Sequence, residues 1–199
     1  MAIKLTLSLS KVLADNFTKQ QRIALAPLIR SPQIKNEFAQ RCIDRIIERT
    51  NSGIDKRGDT FAGYSSAYKK SRRFAIYGKS SQVDLKLTGA MQASIGLLST
   101  DNTSVTIGID GGLEEDKARG HIKGANYLPV RDFWGLPEED QAAILKDVVS
   151  IQNAEESLSV LQDLLGVVAA SAILAGGADT NTSELSNADL AILSELEDQ

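Results

Sequence analysis

Ser31-Pro32-Gln33-Ile34-Lys35-Asn36-Glu37-Phe38-Ala39-Gln40-Arg41-Cys42-Ile43-Asp44-Arg45-Ile46-Ile47-Glu48-Arg49-Thr50-Asn51 is the stretch on which the fold turns. Ile34, Phe38, Cys42 and Ile46 recur at i, i+4 spacing, with Ala39, Ile43 and Ile47 beside them, so one stripe of a helix is apolar. Ser31 stands at the N-cap position and Pro32 at the first helical position, where its missing N–H costs nothing. Gly53 follows, placed to end the helix. The spacing predicts an amphipathic helix from Pro32 to about Asn51, whose other face carries Lys35, Arg41, Arg45 and Arg49.

Strand signals lie on both sides of it. Ile3, Leu5, Leu7 and Leu9 alternate with Lys4, Thr6, Ser8 and Ser10, the period of a half-buried strand. A first helix is expected from about Lys11 to Leu25, capped by Ser10 and stopped before Pro27. Downstream, Ile54–Gly63 is rich in turn residues, and a short basic helix is expected from Ser65 to Tyr77. Val83, Leu85 and Leu87 alternate again, and Thr88-Gly89 opens a short helix or turn over Ala90–Ser94. Ile95–Ser99 and Val105–Ile109 flank an Asp101-Asn102 turn, a hairpin signal. Asp110–Gly124, glycine-rich and charged, reads as an exposed loop. Pro137-Glu138-Glu139-Asp140 starts a helix reaching about Ser150, with acids at the positive end of its dipole.

The predicted architecture is α+β: a small antiparallel sheet with a hairpin, packed against amphipathic helices, plus a C-terminal helical extension. The expected division is a core over residues 1–150 and an acidic helical extension over 151–199. In the extension, Leu164–Ala175 is almost wholly apolar but shorter than the roughly 20 residues a membrane span needs. It reads as a subunit contact or a core helix, and no membrane partner is expected.

Charge is divided along the chain. Residues 1–80 hold 16 Lys+Arg and 6 Asp+Glu, a net of +10, whereas residues 81–199 hold 6 and 20, a net of −14. Three arrangements fit: a basic part that binds nucleic acid, a basic face that meets a neighbour's acidic face, or a fold that joins the two parts within one chain. The acid is concentrated late, with 14 Asp+Glu and only Lys146 over residues 132–199.

Residues that could carry chemistry are sparse, and the expectation is a protein without enzymatic activity or cofactor. The lone His121 falls in the expected loop and reads as a surface histidine. The lone Cys42 lies on the apolar helix stripe and reads as a small hydrophobe. One thiol makes neither an internal disulfide nor a thiolate metal site. Met1–Ser10 alternates rather than running apolar, unlike a signal peptide, so synthesis in a reducing cytosol is expected. The acids at 101–116 lack calcium-loop spacing, and no glycine pattern has the context of a phosphate loop. Lys69, Lys70, Arg72 and Arg73, interleaved with Tyr64, Tyr68, Phe74 and Tyr77, form the best nucleic-acid candidate: cations for phosphates, rings for bases.

Four stretches taken in order carry a family resemblance. Ile46-Ile47-Glu48-Arg49-Thr50 leads to Gly53-Ile54-Asp55, Gly58-Asp59-Thr60-Phe61, Tyr64 and Tyr68-Lys69. Val83-Asp84-Leu85-Lys86-Leu87-Thr88-Gly89-Ala90-Met91 leads to Ser94-Ile95. Val105-Thr106-Ile107-Gly108 follows. Pro129-Val130-Arg131-Asp132-Phe133-Trp134-Gly135-Leu136 precedes Glu138-Glu139-Asp140. This order, over roughly residues 35–148, resembles tailed-bacteriophage virion morphogenesis proteins, the tail-completion or neck proteins of Mu-like and HK97-like phages. The resemblance implies a structural virion protein, made in the host cytoplasm. It would sit at the head–tail junction as a ring of identical subunits, a hexamer by analogy. It would complete or cap the tail, with a connector or portal-side adaptor and the tail tube as neighbours and transient contact with viral DNA.

Candidate interface residues follow. Arg41, Arg45 and Arg49 on the long helix, and Lys69, Lys70, Arg72 and Arg73 beyond it, are basic groups for an acidic neighbour. Glu138, Glu139 and Asp140 are acidic counterparts. Arg131 can clamp a carboxylate while Phe133 and Trp134 bury area, as at interface centres; a tightly packed internal corner would use the same three residues.

Overall fold

The computed structural model describes residues 2–86, 88–125 and 128–152. These fall within one unit, Met1–Asn153. The expected acidic extension, including Leu164–Ala175, lies outside the described residues from 153 onward.

The fold is α+β. Strand β1 (Ile3–Ser8) is followed by helices α1 (Leu9–Asn16) and α2 (Lys19–Leu25), a 3-10 turn at Leu28–Arg30 and the long helix α3 (Pro32–Asn51). Two short helices, α4 (Ser66–Lys69) and α5 (Arg72–Ile76), precede α6 (Ala90–Ala93), the hairpin β2 (Gly96–Thr100) and β3 (Ser104–Ile109), and helix α7 (Gly112–Lys123). Residues 138–152, here α8, are helical. The antiparallel sheet has the order β1-β3-β2.

Register follows from the alternation. Ile3, Leu5 and Leu7 stand opposite Ile109, Ile107 and Val105, so one face of the β1–β3 pair is wholly aliphatic and packs on the core. Helix α3 touches β2 and β3, and its predicted stripe is the centre of that core: Phe38, Cys42 and Ile46 are fully buried. Burying Phe38 or Ile46 contributes about 1.5–3 kcal/mol relative to exposure. The hairpin turn is held by Asp101, whose carboxylate accepts from the backbone N–H groups of Thr103 and Ser104 and from the Ser104 hydroxyl.

Three local expectations are corrected first. The helix over Lys11–Leu25 is two helices. Ser8 caps the first, and Thr18 with Gln21 forms a reciprocal capping box that opens the second. The helix over Ser65–Tyr77 is likewise split, because Ser71 caps α5 as Ser65 caps α4. Alternation at Val83–Leu87 makes no strand among residues 83–86. There the Asp84 carboxylate accepts from the Lys86 N–H, the Lys79 ammonium and the Tyr64 hydroxyl, a local turn that displaces ladder bonding. Leu85 consequently sits at φ +50°.

The largest correction is at Asp110–Gly124, expected as a loop. Its centre is α7, with Glu114 and Glu115 in the first turn and His121 and Lys123 in the last, matching the dipole. Fully buried Ala118 and partly buried Ile122, one turn apart, anchor it on the core. Lys35 is corrected too: it is 8% exposed, and its ammonium donates to the Asp101 carbonyl at 2.8 Å, tying α3 to the hairpin turn.

Candidate functional site

The basic face of α3 is answered within the chain. Arg41 pairs with Glu37 one turn earlier, at 2.6 Å. Arg45 meets Asp140 of α8 at 3.0 Å and Glu48 at 3.6 Å. Arg49 donates through one Nη to the carbonyls of Phe133 and Gly135, at 2.9 and 2.7 Å; its Nε and other Nη are buried with no hydrogen-bond partner among the described residues, and burial lowers its pKa. Among the acids, Glu138 pairs with Lys11; Glu139 is exposed and in no ion pair among the described residues. The fold thus joins part of the basic and acidic halves internally.

Segment 131–136 is an internal corner. Phe133 is 1% exposed and Trp134 9%, their rings meeting edge to face at 6.1 Å. Arg131, 4% exposed, clamps no carboxylate among the described residues. Its Nε donates to the Ala62 carbonyl at 3.0 Å and one Nη to that of Gly63 at 3.3 Å. Its guanidinium lies 5.5 Å from the centre of the Tyr64 ring, a cation–π arrangement. Arg49 and Arg131 thereby bind this corner to α3 and to the loop at 62–63.

The arm formed by α4 and α5 differs. Lys69, Lys70, Arg72 and Arg73 are exposed and in no ion pair among the described residues. Ile76 and Tyr77, at the end of the same arm, are 65% and 45% exposed. The other rings are engaged with one another: Tyr64, Tyr68 and Phe74 form a triad with centroids 5.2, 5.7 and 5.6 Å apart. The arm is therefore an aromatic knot with exposed cations, and Tyr77 is its exposed ring.

Behind the knot lies a cavity of about 510 Å³ lined by Tyr64, Tyr68, Leu85, Leu128, His121 and Arg131. His121 is part-buried, and its Nδ1 is buried without a hydrogen-bond partner among the described residues. Burial, then the charge of Arg131, holds its pKa down at about 4. The expectation of an ordinary surface histidine is corrected: the last turn of α7 carries it inward. The signal for this was the spacing Ala118, His121, Ile122 behind acids at 114 and 115, a helix pattern masked by flanking glycines.

Among the described residues no group of three His, Cys, Asp or Glu could hold a metal ion, and no helix is long and apolar enough to cross a membrane. Comparison of the chain with family models, curated proteins and solved structures finds no match.

Proposed function

We propose that this chain is a structural virion protein of a tailed phage, a subunit of a ring at the head–tail junction that completes or caps the tail and joins it to the head. The observation that carries this reading is the contrast between two basic surfaces. The arginines of α3 are engaged or buried inside the chain, whereas Lys69, Lys70, Arg72 and Arg73 are exposed, in no ion pair among the described residues, beside exposed Ile76 and Tyr77. Cations flanking an apolar and aromatic centre suit a protein partner with acidic groups. The resemblance over residues 35–148 supplies the setting: a second copy in the ring, a hexamer by analogy, with a connector or portal-side adaptor above and the tail tube below.

The test is sedimentation and electron microscopy of the purified chain at low and high salt. A ring that loosens with salt is expected, and Lys69→Glu with Arg73→Glu should leave the fold intact and the chain monomeric. A monomer at all salt concentrations, absent from virions, would sink the reading.

The same cations favour a second reading, nucleic-acid binding by residues 64–77. Four phosphate contacts would give a slope of log K against log salt of about −3 to −4. Against base stacking, three of the four rings are already engaged with one another. Salt-dependent DNA binding by a chain that forms no ring would favour this reading over the first.

A further inference from the structure

We propose that the cavity behind the aromatic arm is a binding site for a small carboxylic acid with an apolar or aromatic body. Its volume, about 510 Å³, lies in the range of small-molecule sites. Its walls are rings and aliphatic groups from three separate places: Tyr64 and Tyr68 from the arm, Leu85 from the loop before α6, and Leu128 and Pro129 from beyond α7. Such walls suit an apolar body of modest size.

The polar groups select the charge. Arg131 lines the cavity almost wholly buried, and no carboxylate lies within ion-pair distance of it among the described residues. Two carbonyls and one ring face occupy part of the guanidinium. The carbonyls answer the Nε–H and one Nη–H without neutralising the charge. An interior cation lacking an anion is costly, and a planar guanidinium is matched by a carboxylate.

His121 lines the same cavity as Arg131. The remaining lysines do not alter the sign: Lys79 is already paired with Asp84 at 2.7 Å, and Lys86, exposed at the edge, adds positive charge. None of the described residues lining the cavity is acidic. A bound carboxylate would accept from Arg131, with the His121 imidazole on the same cavity wall close enough to sense its charge. This site is independent of the ring reading, since it lies behind the knot rather than on its basic face.

The chain holds one histidine, so a single imidazole signal reports on the site. Full-length protein labelled with ¹⁵N is titrated with phenylacetate, and the imidazole is followed by long-range proton–nitrogen correlation. We expect a saturable shift with a dissociation constant of about 1 mM or tighter, within reach of a fragment of roughly ten heavy atoms. The His121 pKa should rise from about 4 by about one unit or more, as an adjacent anion favours the imidazolium. Phenylacetamide, which keeps the body, and acetate, which keeps the charge, should each bind at least about tenfold more weakly.

Leu128→Trp, at a 46% exposed position on the cavity wall, should abolish the shift while leaving the fold unchanged. The proposal is overturned by the absence of a saturable shift, by equal binding of phenylacetamide or of acetate, or by undiminished binding to Leu128→Trp.

Discussion

The Arg45 guanidinium and the Asp140 carboxylate meet at 3.0 Å across 95 residues of sequence, linking the middle of α3 to the first turn of α8. The contact raises the Arg45 pKa, chiefly through the hydrogen bond to Asp140. It brings the helix that bears Arg41, Arg45 and Arg49 next to the start of the acidic part within one chain.

The Arg45 side chain is 48% exposed and that of Asp140 20%, so solvent screens the pair. Its coupling should be about 0.5–1 kcal/mol. Urea unfolding of Arg45→Met, Asp140→Asn and the double variant measures it as the departure from additivity. A coupling indistinguishable from zero would mean that the pair adds nothing to stability.

Gly108 should tolerate no side chain. It stands opposite Lys4 on β1 and Gly96 on β2, and a Cβ there would come within 2.2 Å of the Ile3 carbonyl oxygen and 2.8 Å of Leu98 Cδ1. Gly108→Ala should push β1 off the sheet and lower stability by at least about 2 kcal/mol. Gly96→Ala meets nothing within 4 Å and should stay within about 0.5 kcal/mol of the parent. Thermal unfolding of the two variants side by side checks the contrast.

His121 should make the fold acid-sensitive. Its folded pKa, about 4, lies below the unfolded value of about 6.5. Between those values the unfolded chain holds the extra proton, so stability is full above about 6.5 and falls as pH drops toward 4. The loss is at most about 3 kcal/mol, less whatever the exposed part of the ring recovers by hydration. Urea midpoints of the parent and His121→Gln from pH 7 to 4.5 measure it. The parent's midpoint should drop more steeply, and parallel curves would show that the imidazole stays hydrated.

Cys42 should be inert in the folded chain. It is wholly buried, and its burial, with the nearby Asp140 charge as a lesser cause, pushes the thiol pKa up. A disulfide reagent needs the thiolate and access, so modification should proceed through opening of the core, at least about a thousandfold slower than in denaturant. Rapid stoichiometric labelling of native protein would contradict the packing of α3 against the sheet.

How much was legible in the sequence differs from element to element. The bounds of α3 followed from Pro32, the i, i+4 stripe and Gly53, all local signals. The hairpin followed from two alternating runs about an Asp-Asn turn, and the pairing of β1 with β3 puts equally patterned faces together. Where side-chain capping competed with periodicity, at Thr18, Ser71 and Asp84, periodicity alone misled, because one hydrogen-bonded turn outweighs a short pattern. Helix α7 was hidden by glycines whose cost is offset by burying Ala118.

The candidate site shows the sharper division. Local sequence determined which residues carry charge, which helix bears the arginines and where the rings cluster. Whether an arginine is available to a partner depends on what lies within a few ångströms of it, and those neighbours are distant in the chain. Arg45 finds Asp140, Arg49 finds the carbonyls of Phe133 and Gly135, and Arg131 finds those of Ala62 and Gly63. Only tertiary structure therefore separated Lys69, Lys70, Arg72 and Arg73 from the other cations and turned His121 toward a cavity. Coulombic and hydrogen-bonding energies fall with distance in space, and separation in sequence does not enter them.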